Sequence, residues 1–205
     1  MIMKPMTHEQ KQRIFNGSIE MLEKLRILIN DFFKQEKICK APHEFSQFYL
    51  FVLILNSDAN VLIKQYCTAN QRWEEIYLIR QIYILMNEGK NKIIGKNGDG
   101  KNLNNTTYWN DNLKMFVEQH YPKLLPEFKK ISDILINYRD NEFQEDIRIL
   151  RNLSVHYDEK LNTEKFFNIF NTTIVDNSFQ LFGKWLGIIN TLFEFASKIV
   201  LSENG

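Results

Sequence analysis

The stretch Glu145-Asp-Ile-Arg-Ile-Leu-Arg-Asn-Leu-Ser-Val-His-Tyr-Asp158 gathers Arg148, Arg151, Asn152 and His156 within a few helical turns. These side-chain types can handle a phosphate and a proton together. A histidine titrating near its ordinary value, about 6.5, can take a proton from a ribose 2′-hydroxyl at neutral pH. A guanidinium can grip a phosphate through two parallel hydrogen bonds and offset charge that grows in the transition state. An asparagine amide can orient either partner. No metal is required when the 2′-hydroxyl is itself the nucleophile, because the attacking group is already held beside the phosphate.

Spacing decides whether these groups can meet. On a helix of about 100° per residue, Ile147, Ile149, Leu150, Leu153 and Tyr157 share one continuous arc. Glu145, Arg148, Arg151, Asn152 and His156 share the opposite arc, interrupted only by Val155. Asn152 and His156 are four residues apart and stack on one face, which Arg151 flanks. Arg148 lies on the same polar arc and is a candidate substrate-binding residue. The rival reading of this pattern is an ordinary solvated helix face.

The elements that must position this stretch read as helices throughout. Thr7, followed by Glu9 and Gln10, suits a helix start, and Ile14, Ile19, Leu22, Leu25, Leu28, Ile29 and Phe32 then recur at helical spacing to about Lys37. Pro42 and Glu44 suit the first turn of a second helix. Its apolar residues cover most sides from Phe45 to Leu55, which places it centrally; a buried strand over Phe48–Leu55 is the alternative. A third helix begins near Thr68-Ala69-Asn70, with Trp73, Ile76, Tyr77, Ile79, Ile82 and Tyr83 on its apolar face. Gly89 to Thr107 reads as a mobile loop rich in Gly and Asn. Further helices are expected over about Tyr108–His120, after Pro122 and Pro126, over the cluster itself, after Asn162-Thr163-Glu164, and finally after a cap at Asp176-Asn177-Ser178. The expected class is all-α, an antiparallel helical bundle forming a single domain over residues 1–205.

Arg151-Asn152-Leu-Ser-Val-His156 resembles the signature of the HEPN superfamily, in which an Arg is followed by a polar residue and then by a His four to six positions after the Arg. The resemblance covers these few positions together with the helical context. It implies a HEPN-like four-helix core with additional helices, and metal-independent endoribonuclease activity at a site built across a homodimer. In that scheme His156 is the proton-transfer group, Arg151 holds the scissile phosphate and Asn152 orients them. The resemblance also implies a toxin or anti-phage defence effector, with an antitoxin or other protein as a further partner. One subgroup carries a Tyr two residues after the His. Here Tyr157 follows directly and Asp158 occupies that place, which argues against an antitoxin that modifies such a tyrosine. A catalytically inactive HEPN-like module that binds a protein or nucleotide is the alternative.

Other signals point to less. The formal net charge of +1 offers no argument for general polyanion binding. Gly95-Lys-Asn-Gly-Asp-Gly-Lys-Asn102 approaches a phosphate-binding loop, but Asn102 replaces the hydroxyl that would bind Mg²⁺, and no strand is expected before it. Cys39 and Cys67 lack metal spacing, and His8, His43 and His120 read as surface or capping residues, so neither metal nor cofactor is expected. The N-terminus lacks a signal-peptide pattern, and Phe48–Leu55 is shorter than the roughly 18 residues of a membrane span, so a cytoplasmic location away from membranes is expected.

Overall fold

The computed structural model describes residues 6–35, 43–95, 107–139 and 174–203. All regular structure among them is helical. The α-helices are α1 (His8–Gln35), α2 (His43–Thr68), α3 (Arg72–Ile94), α4 (Lys114–His120), α5 (Leu125–Asn137) and α6 (Ile174–Glu203). A π-helical turn, Tyr108–Leu113, leads into α4, and a 3-10 turn, Pro122–Leu124, leads into α5. The expectation of an all-α antiparallel bundle holds for the described residues.

Local chemistry explains the helix ends. Thr7 Oγ1 accepts the Gln10 backbone N–H at 3.2 Å, and Gln10 Oε1 accepts the Thr7 backbone N–H at 2.9 Å. This reciprocal box satisfies two donors that the first turn of α1 would otherwise leave open. Glu74 plays the same part at the start of α3, where its carboxylate accepts the backbone N–H groups of Asn70 and Gln71. At the other end of α3, Gly95 adopts φ 81°, a left-handed conformation that favours glycine, and its N–H donates to Asn91.

α2 is the central helix, packed on α1, α3 and α6. The strand alternative for Phe48–Leu55 is excluded, because that run is continuous helix. Phe45, Phe48, Tyr49, Val52, Leu53, Leu55, Ala59, Ile63 and Tyr66 are all buried, so α2 is covered on most of its circumference. Phe45–Thr68 is long and apolar enough to cross a membrane by length and composition, but half of its most apolar window is buried inside the protein. Its apolar character is that of a core helix.

α1 and α2 run antiparallel: Phe32 meets Tyr49 at one end, and Lys11 lies over the Tyr66 ring at the other. α5 and α6 are likewise antiparallel, with Phe128 near Phe195 and Tyr138 stacked on Trp185. The π turn carries Trp109 into the centre, where it stacks on Phe128 at 4.5 Å between ring centroids. Trp109 Nε1 donates to Ser132 Oγ at 2.8 Å, so this indole buries its apolar surface without leaving its donor open.

α2 also carries a polar link into the core. Asn56 Nδ2 donates to Asn190 Oδ1 on α6 at 3.0 Å, and Asn60 Nδ2 donates to Asn56 Oδ1 at 2.8 Å. Asn56 and Asn60 are buried, so these bonds replace water that the amides have lost. Asn56→Ala strips the Asn190 carbonyl of this donor and Asn60 of one acceptor. The expected loss is about 1–3 kcal/mol of stability, read as a lower denaturant midpoint at unchanged m-value.

Two boundaries differ from the sequence expectation. α3 continues through Gly89 to Ile94, because Gly89 is an interior contact point rather than a turn: a Cβ there would lie 2.8 Å from Trp185 Cζ2. α6 begins at Ile174, so Asp176-Asn177-Ser178 falls inside the helix instead of capping it. The rest of the expected loop, residues 96–106, and the helices expected between residues 140 and 173 lie outside the described residues.

Candidate functional site

In the sequence, the candidate site is flanked by α5 and α6. Arg148, Arg151, Asn152 and His156 fall between α5 and α6 and lie outside the described residues, as does Tyr157. The chain leaves α5 through Tyr138 and Arg139 and re-enters the described fold at Ile174. The first of these anchors is firm. Tyr138 is buried, and its ring stacks on Trp185 at 5.4 Å and 23°. A buried, stacked aromatic holds this end of α5 in place, since displacing it would uncover both rings.

A groove of about 650 Å³ opens between α5 and α6 beside that anchor. Asp133, Asn137 and Tyr138 line it from the α5 side, and Lys184, Ile188 and Thr191 from α6. The lining offers a carboxylate, an amide, an ammonium and a hydroxyl within one concavity. Such a set can bind a small polar group, but it lacks the planar two-pronged donor that a guanidinium provides for phosphate.

The other candidate groups are placed more simply. His8 opens α1 and is exposed, and His120 ends α4 with its ring 5.1 Å from Phe116. No group of three His, Cys, Asp or Glu side chains among the described residues could hold a metal ion. The phosphate-loop look-alike begins at Gly95 directly after helix α3, where a nucleotide-binding loop would follow a strand. An amide, Asn102, also stands where such a loop carries its metal-binding hydroxyl.

Cys67 is a half-buried free thiol. Burial pushes its pKa up from the ordinary value, and the charge of Lys11 offsets part of that rise. A raised pKa leaves less thiolate at neutral pH, and the thiolate is the nucleophile. Iodoacetamide at pH 7.5 is expected to alkylate Cys67 more slowly in the folded protein than in urea, as read by peptide mass spectrometry. Equal rates would contradict the assigned environment.

A second open groove, of about 490 Å³, lies at the α2–α3 corner. Gln65, Thr68 and Ala69 line it from the α2 side, and Trp73, Glu74 and Tyr77 from α3. Sequence reasoning placed Trp73 and Tyr77 on the apolar face of α3, whereas they are 68% and 57% exposed. The signal that separates them was available. Buried Ile79, Ile82, Met86 and Ile93 share one arc of the helical wheel, and Trp73 and Tyr77 fall almost opposite it.

No protein-family model, curated protein or solved structure matches this chain.

Proposed function

We propose that this chain is a metal-independent, HEPN-like endoribonuclease that works as a cytoplasmic homodimer, in the role of a toxin or anti-phage effector. The observation that carries the reading is the Arg151-Asn152-Leu-Ser-Val-His156 cluster on the polar arc of an amphipathic stretch. An all-helical surround among the described residues supports it. The reaction needs only what the cluster holds. His156 accepts the 2′-hydroxyl proton as the oxygen attacks the adjacent phosphorus. Arg151 neutralises the phosphate as charge accumulates on its oxygens, with Arg148 holding a neighbouring phosphate. The leaving 5′-oxygen takes a proton, and the upstream fragment ends in a 2′,3′-cyclic phosphate.

The test is direct. Wild-type protein and the variants Arg151→Ala and His156→Ala are incubated with RNA in EDTA, and the product ends are sequenced and chemically typed. Cleavage by wild type alone, leaving cyclic phosphate ends, is the expected result. Cleavage that survives in both variants, or none by wild type, sinks the reading; the latter result would favour a module that binds without cutting.

A further inference from the structure

We propose that α1 is a releasable strap, which opens from the bundle while the rest stays folded, and that Lys11 is the latch that holds it shut. The inference is independent of the nuclease reading and concerns how the fold can change shape.

The first ground is where the core lies. Among the described residues, the buried apolar core takes only Leu25 from α1, a helix of 28 residues. Ile14, Met21, Leu28, Ile29 and Phe32 pack against that core but are only partly covered. Ile19, Ile27 and Phe33 are 44%, 47% and 56% exposed, so they add little to the hold on α1. α2, by contrast, is gripped from other sides by α3, α6 and the π turn. The aromatic centre, Trp109 with Phe128 and Phe195, contains no residue of α1. Nor do the contacts of Trp185 with Gly89 and Tyr138. Losing α1 leaves all of these in place, which is the condition for a segment to open at less cost than global unfolding.

The second ground is how α1 is tied. Among the described residues its side-chain bonds are local: Gln12 to Asn16, Ser18 to Ile14, Arg26 to Glu23 and Lys34 to Asp31. Lys11 is the exception. Its Nζ lies 3.1 Å from Glu75 Oε1 on α3 and 5.2 Å from the centroid of the Tyr66 ring on α2. The ion-pair partners are 23% and 20% exposed, so salt and water screen the pair less than they would on an open face. One side chain thus joins the start of α1 to two other helices. Gly17, beyond the latch, is a weak point in the strap itself. Nothing lies within 4 Å of a Cβ placed there, so no close approach requires a glycine, and its backbone freedom costs the helix. Release would uncover the flank of α2 that carries Tyr49, which meets Phe32 edge-on, and Tyr66. Both tyrosines are buried in the closed form.

Deuterium exchange of the full-length protein, read by peptide mass spectrometry, tests this. Peptides of α1 are expected to exchange together and well ahead of the buried stretches of α2 and α6. Lys11→Met should speed α1 exchange by about 5- to 30-fold, the combined scale of an ion pair and a cation–π contact. Gly17→Ala should slow it by about fivefold, through helix propensity. Ile189→Val probes the other side, because Ile189 is fully buried on α6. It should speed α6 exchange by about 2- to 12-fold and leave α1 within twofold, since the strap opens with that core intact. Exchange of α1 as slow as that of the α2 and α6 core would overturn the proposal. So would α1 exchange that follows Ile189→Val by the same factor as α6, because α1 would then open only with the whole protein. An α1 rate within twofold of wild type in Lys11→Met would remove the latch.

Discussion

Alanine at His156 is expected to slow RNA cleavage by about 10²–10⁴-fold, the usual contribution of a positioned proton-transfer group. Arg151→Ala is expected to cost about 10²–10³-fold, the scale for losing one preorganised donor to a developing oxyanion. Their proposed roles share one transition state, so the double variant should be little worse than the poorer single variant. On a helical wheel the spacing puts both residues on the arc opposite Ile149, Leu153 and Tyr157, so the melting temperature is expected to barely move while the rate collapses. That contrast is the discriminating readout. A solvated face would leave the rate unchanged, and a structural role would lower the melting temperature with it. EDTA should have no effect on wild type. Because a general base must be neutral to accept a proton, the wild-type rate should fall as pH drops through the range in which histidines ordinarily titrate, and the residual His156→Ala rate should lose the dependence. A shared dimer site has a further signature: mixing Arg151→Ala with His156→Ala subunits should restore part of the activity, because one intact pair can then assemble across the interface.

The features legible in the sequence were those set by neighbours along the chain. Thr7 and Gln10 announced the start of α1 because a capping box is completed within four residues. The breadth of apolar residues on α2 announced its central place, because a helix apolar on most sides can be satisfied only by contacts on most sides. What stayed hidden was set by partners far away. Asn56 sits in a polar Asn56-Ser57-Asp58 run with no local partner to mark it as core, and its partner Asn190 is 134 residues distant. Gly89 read as the start of a loop because glycine marks turns and close approaches alike, and only the position of Trp185 tells the two apart. Trp73 and Tyr77 differ for another reason: aromatic type alone does not separate core from surface, and their angle on the wheel lies opposite buried Ile79, Ile82 and Met86.

Gly89 and Trp185 should behave as one unit in stability measurements. Trp185 is fully buried between Gly89 on α3 and Tyr138 at the end of α5, so it ties three helices together. Trp185→Ala removes the largest side chain at that junction and leaves a void that rigid neighbouring helices cannot close. The expected cost is about 3–5 kcal/mol. Against a typical total of about 5–15 kcal/mol, much of the fold's margin would go. Gly89→Ala attacks the same contact from the other side. Helix propensity favours alanine by about 1 kcal/mol. The new methyl, however, would lie 2.8 Å from Trp185 Cζ2 and 3.1 Å from both Leu55 methyl carbons. An indole closed in on all sides cannot swing away, so overpacking of about 1–3 kcal/mol should win and the variant should be destabilised. The decisive measurement is the double variant. With Trp185 already alanine, the 2.8 Å clash is gone, and the Leu55 methyls at 3.1 Å can give way into the new void, so the helix gains its propensity at little cost. Gly89→Ala should then stabilise, giving a coupling of about 0.5–3 kcal/mol between the sites by chemical denaturation. Additive effects would mean that the two residues do not touch, and that the packing of α3 against α6 is not what sets glycine at position 89.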